Sequence, residues 1–166
     1  TVVIVGADRG IGAAMVKQYH ARGDRAIGAC FGDGQDLIDA GIEVIANVDV
    51  RDISSFPPLV GHLGDSQVDT LVCVAGIAHV DRWGSFDYDL LMEHYNVNTL
   101  GPLRTVQALD AQLGKGSKIG ILTSRVGSVA DNSSGGLYGY RMSKSAANQL
   151  GVNLYHELKP RGVAVM

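Results

Sequence analysis

TVVIVGADRGIG, residues 1–12, is the stretch from which the rest of the chain is read. Val2–Val5 is a short, continuously apolar run, the pattern of a strand buried on both faces. Gly6 follows at once, Gly10 and Gly12 lie just beyond, and residues Ile11–Arg22 have helical apolar spacing. Strand, glycine-rich turn and helix in that order begin a βαβ unit. Glycine lets the backbone turn tightly and bring N–H groups close to a pyrophosphate, and the helix N-terminus adds a favourable dipole. The spacing is Gly-x-x-x-Gly-x-Gly rather than the commoner Gly-x-Gly-x-x-Gly. No Gly-Lys-Ser/Thr ending follows, which disfavours a nucleotide-hydrolysing P-loop. A plain tight turn is the competing reading of the same glycines.

Working outward, the alternation continues. Arg25–Phe31, Val44–Val50, Thr70–Ala75 and Ile119–Thr123 read as further strands, and Val163–Met166 begins a sixth. Leu90–Leu109 reads as a long helical stretch in which Pro102 predicts a kink or break. Ser143–Leu158 is another helix, stopped by Pro160, and Asp131–Gly136 (DNSSGG) is the clearest loop. Short apolar strands separated by helices predict a parallel sheet covered on both faces. The expected architecture is a Rossmann-type, doubly wound α/β sheet in three α/β/α layers, formed as one domain over residues 1–166. The chain stops within an apparent strand, VAVM; an exposed apolar edge is a poor ending for such a sheet, so a C-terminal segment is expected to follow.

Composition agrees with a globular domain: 166 residues, 46% hydrophobic and 19% charged. A net charge of −3 with no long basic run argues against nucleic acid or an anionic membrane as partner. No apolar stretch reaches the roughly 20 residues of a membrane helix, and TVVIVG opens without the charged region of a signal peptide. Cys30 and Cys73 both lie in apolar strand-like runs, which favours free buried thiols and a cytoplasmic setting, a disulfide being the alternative.

Tyr140 and Lys144 stand four apart in YRMSK, at or near a helix start, and so share a helix face. An ammonium beside a phenol favours the phenolate, which suits a group that donates and accepts protons. The same spacing recurs as Tyr155 and Lys159 in YHELK, at the end of a helix, where a surface or packing pair is the simpler reading. What favours Tyr140 is its surroundings: ILTS ends the fifth strand at Ser124, and doubly wound sheets bind ligands at the carboxyl ends of their strands.

The order of these elements resembles the short-chain dehydrogenase/reductase family, over nearly the whole chain. The GADRGIG loop is similar to that family's Thr-Gly-x-x-x-Gly-Ile-Gly, with Val5 in place of the threonine. SRVGSVADNSSGGLYGYRMSKSAANQL looks most like the branch containing carbonyl reductases and the bacterial C-signal protein. The resemblance implies that Tyr140 is the catalytic acid/base, that Lys144 holds the nicotinamide ribose and that Ser124 hydrogen-bonds the substrate carbonyl. Ser124 lies 16 residues before Tyr140, a longer gap than usual, so Ser128 is a rival; for either, a turn serine is the plain alternative. Asn98, in NVNTLGP, matches the family's proton-relay asparagine, a buried packing asparagine being the alternative. Asp49, next to Val50, matches an aspartate that contacts adenine, and a strand-end cap is its alternative. CVAG keeps the family's Ala75 and Gly76 but has Cys73 and Val74 where two asparagines are usual.

The implied cofactor contacts are therefore Gly6, Arg9, Gly10, Ile11, Gly12, Asp49, Val50, Ala75, Gly76, Tyr140 and Lys144. An acid at the end of the second strand would bind the ribose hydroxyls of NAD; here that end reads CFGDG, with Phe31 at the tip and Asp33 two residues later. Arg9 can pair with a 2′-phosphate, so the reading leans to NADP with NAD open. The implied function is hydride transfer between the nicotinamide and a small-molecule carbonyl or alcohol, by a homodimer or homotetramer. A non-catalytic, dinucleotide-binding sensor is the alternative from another class. A sugar-nucleotide epimerase would carry Gly-x-x-Gly-x-x-Gly, which is absent. The five histidines have no metal-ligand spacing, and no Gly-x-Ser-x-Gly elbow marks a hydrolase.

Overall fold

The computed structural model describes residues 1–166 and holds one six-stranded, wholly parallel sheet. The strands are β1 (Val2–Val5), β2 (Ala26–Ala29), β3 (Glu43–Ile45), β4 (Thr70–Cys73), β5 (Lys118–Ile121) and β6 (Ala164–Val165), in the order β3-β2-β1-β4-β5-β6. The α-helices are α1 (Gly10–Ala21), α2 (Gln35–Ile38), α3 (Pro57–Leu63), α4 (Tyr88–Tyr95), α5 (Gly101–Ala108) and α6 (Tyr138–Leu158). Every residue of β1 and β2 is buried, as their unbroken apolar runs require of central parallel strands. Val2 and Ile4 pack with Val16 of α1 and Leu37 of α2. Val3 and Val5, on the opposite face, pack with Leu59 of α3, Val106 of α5 and Leu158 of α6. This alternation makes the three layers. The chain runs outward through β2 and β3, then returns to place β4 beside β1. The strand order therefore reverses at the carboxyl ends of β1 and β4, the place where such sheets bind ligands.

Several elements differ from expectation for local reasons. β3 ends at Ile45 instead of Val50 because Asn47 takes a left-handed conformation, φ 59°; contact with the β2 side resumes where Val48 N donates to Cys30 O at 2.8 Å. The stretch around Pro102 stays helical: α4 passes through a π-helical turn, Asn96–Leu100, into α5. Pro102 falls in the first turn of α5, where its missing N–H costs nothing, and the wider turn before it absorbs the change of pattern. α6 starts five residues earlier than the expected Ser143, at Tyr138. α2 and α3, of 4 and 7 residues, are too short to show helical periodicity.

Cys30 and Cys73 are free and buried. Burial, chiefly, pushes their thiols up, to about 11 and about 12, so both are poor nucleophiles. No helix is long and apolar enough to cross a membrane.

Candidate active site

The turn leaving β1 is built by contacts that only glycine permits. Gly6 has φ +89°, and a Cβ there would stand 2.4 Å from the backbone nitrogen of Ala75. A Cβ on Gly12 would stand 2.1 Å from Gly6 O. Gly6 thus lets the loop touch the end of β4, and Gly12 lets α1 fold back onto the loop. Gly10 opens α1 with φ +57° and open space around its Cβ direction. Arg9 occupies the N-cap in extended conformation without a side-chain cap, and the first turn carries no acidic residue, so the positive end of α1 is unopposed there. Beside the loop lies a cleft of about 620 Å³ whose walls include Gly6, Arg9 and Ile11, then Asp49 and Val50, then Ala75 and Gly76. Free first-turn amides, glycines at the turn's close approaches and a cleft at the strand reversal fit a dinucleotide. A hollow of about 710 Å³ along α4 does not: Asp87, Asp89 and Glu93 line it with only Arg51 opposing.

The far end of the cleft holds an acid that the sequence reading missed. Asp8 accepts from Phe31 N at 3.0 Å and from Gly32 N at 2.7 Å, so its carboxylate sits at the end of β2. Asp33, the acid nearer in sequence, turns to its own loop and accepts from Gln35 N at 3.2 Å. Asp49 is held by Arg51, Nη2 to Oδ2 at 2.8 Å, and that guanidinium holds its carboxyl below the ordinary range. Its backbone N–H donates to Ser55 Oγ at 2.9 Å. Val50 is buried under Gly101, whose Cβ position would meet Val50 Cγ2 at 3.0 Å.

α6 carries the rest of the site. Lys144 is buried, and desolvation pushes its ammonium down from the ordinary lysine range. Its Nζ donates to Leu122 O, just past β5, at 2.7 Å, which uses one of three donors. It stands 5.8 Å from the centroid of the Tyr140 ring. Leu122 also lines the cleft, so Lys144 ties α6 to the cleft wall. The decoy pair differs: Lys159 Nζ donates to Tyr155 OH at 2.9 Å in an exposed contact.

Ser124 caps a short 3-10 turn, Arg125–Gly127, its Oγ accepting from Val126 N at 3.3 Å. That turn lies against α6: a Cβ on Gly127 would be 2.8 Å from Lys144 C, and Ser145 Oγ donates to Gly127 O at 2.8 Å. Ser124 is thereby held close to the Lys144 segment. Ser128 serves its loop, accepting from Asp131 N at 3.2 Å.

Asn98 lies in the π-helical turn, 1% exposed. It donates to Ile77 O (2.9 Å) and Ser143 Oγ (3.0 Å) and accepts from Ile77 N (2.8 Å). Both amide donors are committed, and the side chain staples the segment after β4 to α6. Gly76 fits between, since a Cβ there would stand 3.1 Å from Asn98 Oδ1 and 3.6 Å from Lys144 Nζ.

Comparison with known proteins places these features in a wider set. The model of the short chain dehydrogenase family matches residues 1–166. The 1-hydroxy-2-glutathionyl-2-methyl-3-butene dehydrogenase of Rhodococcus sp. (strain AD45) is 48% identical over 168 residues, spanning 100% of this chain and 74% of that protein. The C-signal protein of Myxococcus xanthus is 38% identical over 100 residues, 57% of this chain and 59% of that protein. Among solved structures, a short-chain dehydrogenase/reductase of Burkholderia multivorans with bound NADP superposes with a TM-score of 0.88 at 27% identity, over 98% of this chain and 74% of that one.

Proposed function

The chain belongs to the short-chain dehydrogenase family, and from that membership we propose that it interconverts a carbonyl and an alcohol with Tyr140 as general acid/base. It is an NAD(P)-dependent oxidoreductase, and the carbonyl reductase type is the branch proposed for it. The observation that carries the residue assignment is the Tyr140–Lys144 pair on one face of α6, with Lys144 buried and bonded to the cleft wall.

The nicotinamide dinucleotide, once bound, supplies or accepts the hydride. Gly6, Gly10, Ile11, Gly12 and the N-terminus of α1 hold its pyrophosphate. Asp49 and Val50 hold the adenine, and Ala75 and Gly76 leave room for the nicotinamide ribose, whose hydroxyls Lys144 binds with its remaining donors. In the reducing direction Ser124 donates to the carbonyl oxygen, and Tyr140 gives its proton to the oxygen as charge develops there. The Lys144 ammonium stabilises the phenolate left behind. Asn98 holds this arrangement together and has one acceptor lone pair left for a relay water.

NADP is the proposed cofactor, supported by Arg9 and by the NADP bound to the Burkholderia relative. Asp8 supports a second reading, NAD, because its carboxylate repels a 2′-phosphate at the end of β2 and accepts from a 2′-hydroxyl. The two charges make a paired prediction. Arg9→Ala is expected to raise KM for NADPH about tenfold and leave KM for NADH within about twofold; Asp8→Asn is expected to lower KM for NADPH and raise that for NADH. Steady-state kinetics with both cofactors checks this, and equal changes for the two would refute it.

The function is tested by NADPH and NADH oxidation against aldehydes, ketones and quinones. The reverse reaction is tested with alcohols, including one bearing a glutathionyl group, since the Rhodococcus relative is named for such a substrate. Turnover is expected in at least one direction. Tight cofactor binding with no turnover on any member would favour the non-catalytic sensor, which no site feature supports. The proposed setting is the cytoplasm, in keeping with two free buried thiols. A homodimer or homotetramer through the long helices, α6 among them, is proposed from the family membership. Nucleic acid and membrane have no place in the proposal.

A further inference from the structure

α6 begins in a way its own sequence does not support. Leu137, at the N-cap, is left-handed (φ 51°) and offers no side-chain cap. The amides of the first turn are bonded instead from 56 residues upstream of Leu137, by Asp81. Asp81 Oδ1 accepts from Tyr138 N at 2.6 Å, and Oδ2 accepts from Gly139 N at 2.8 Å, with the residue 9% exposed. Gly139 is required by the approach, since a Cβ there would meet Leu91 Cδ2 at 2.8 Å, His94 Nδ1 at 2.9 Å and Asp81 Oδ2 at 3.3 Å.

The segment bearing Asp81 is itself fixed. Asn98 grips Ile77 through both of its backbone groups. Fully buried His94 accepts at Nε2 from His79 N (2.9 Å), so its Nδ1 carries the proton donated to Leu90 O (2.8 Å). The His94 ring meets Tyr140 edge-on, with centroids 6.4 Å apart. Three successive anchors, at residues 77, 79 and 81, thus run from the end of β4 to the first turn of α6. Tyr140 follows Gly139 directly.

We propose that Asp81 is a positioning residue for Tyr140, a remote helix cap that sets where the phenol stands relative to Ser124 and Lys144. The proposal rests on the reading of Tyr140 as the acid/base. It differs from ordinary capping because the stabilised helix end carries the chemistry, where a displacement of about 1 Å can cost on the order of 10²-fold in rate.

The test compares Asp81→Ala and Asp81→Asn in the full chain with Asp87→Ala, which removes a conventional cap on α4 (Asp87 Oδ1 to Leu90 N, 3.1 Å). The readouts are kcat on the best substrate of the panel, dinucleotide Kd, thermal midpoint and hydrogen exchange of amides 138–141. Asp81→Ala is expected to lower kcat about 10–100-fold with Kd within about threefold, and to speed exchange at 138–141. Asp81→Asn, which keeps one acceptor oxygen, should recover part of the kcat and keeps the test open if the alanine variant unfolds. Asp87→Ala should lower the midpoint comparably and leave kcat within about twofold. Faster exchange with unchanged kcat, or equal loss of kcat in Asp87→Ala, would overturn the proposal. Tyr140→Phe, measured alongside, separates the two ideas: if it retains turnover, the acid/base reading fails first, and the positioning role with it.

Discussion

Tyr140→Phe is expected to lower kcat by about 10²–10⁴-fold, the usual worth of a positioned general acid, while the dinucleotide Kd stays within about threefold. The change deletes one oxygen. The ring remains to pack on His94 and beside Lys144, and the first turn of α6 keeps its bonds to Asp81. The ammonium of Lys144 remains on Leu122 O, so the ribose end of the cleft is undisturbed. Lys144→Met gives the opposite partition. It removes the charge beside the phenol together with a proposed cofactor contact, so turnover and dinucleotide binding should fall together. Single-turnover rates and equilibrium titration of both variants separate the two effects. Parallel loss of binding and turnover in Tyr140→Phe would refute the assignment, as would a kcat within about tenfold of the parent.

The same region shows how far the sequence could be read. The six strands are legible because short, mostly apolar runs of four to seven residues, parted by helices, admit few other folds. In the sequence Tyr140 is separable from Tyr155 only by the ILTS strand end that precedes it; the structure adds that Lys144 is buried against the cleft wall, whereas Lys159 reaches its tyrosine in solvent. The same pair geometry thus has two meanings, set by burial. What stayed hidden was what long-range contacts create. Asp81 has no local motif, since its partners lie 57 and 58 residues away. The early start of α6 was hidden with it, because a helix capped from elsewhere carries no N-cap signature before its first turn. In the sequence Asp8 is only one of the unspecified positions of Gly-x-x-x-Gly-x-Gly, and Asp33 is the acid that follows the second strand. The fold sends Asp8 across to the end of β2 and leaves Asp33 in a local turn.

Gly6→Ala is expected to destabilise the protein by about 2–5 kcal/mol, a large share of the roughly 5–15 kcal/mol that holds a domain of this size folded. Two costs add. A left-handed conformation at a residue with a Cβ costs about 1–2 kcal/mol, and forcing a methyl into packed atoms about 1–3 kcal/mol. The atoms in question are backbone: Ala75 N at 2.4 Å and Ala75 Cα at 2.6 Å. That nitrogen donates to Val5 O at 3.0 Å, so relief of the clash must pull β4 away from the end of β1. Gly10→Ala isolates the conformational cost, having φ +57° and nothing near its Cβ direction, and should lose only about 1 kcal/mol. Denaturant unfolding by linear extrapolation compares the two. Equal stabilities would show that the β1–β4 contact is looser than its geometry requires. The expected difference means that the glycines of one motif do different work. Gly6 closes the sheet at its reversal, Gly12 folds α1 onto the loop, and Gly10 keeps the mouth of the helix clear. Gly10→Ala should therefore weaken dinucleotide binding more than stability, while Gly6→Ala should damage both, because the cleft is formed by the same approach of loop to strand that the methyl prevents.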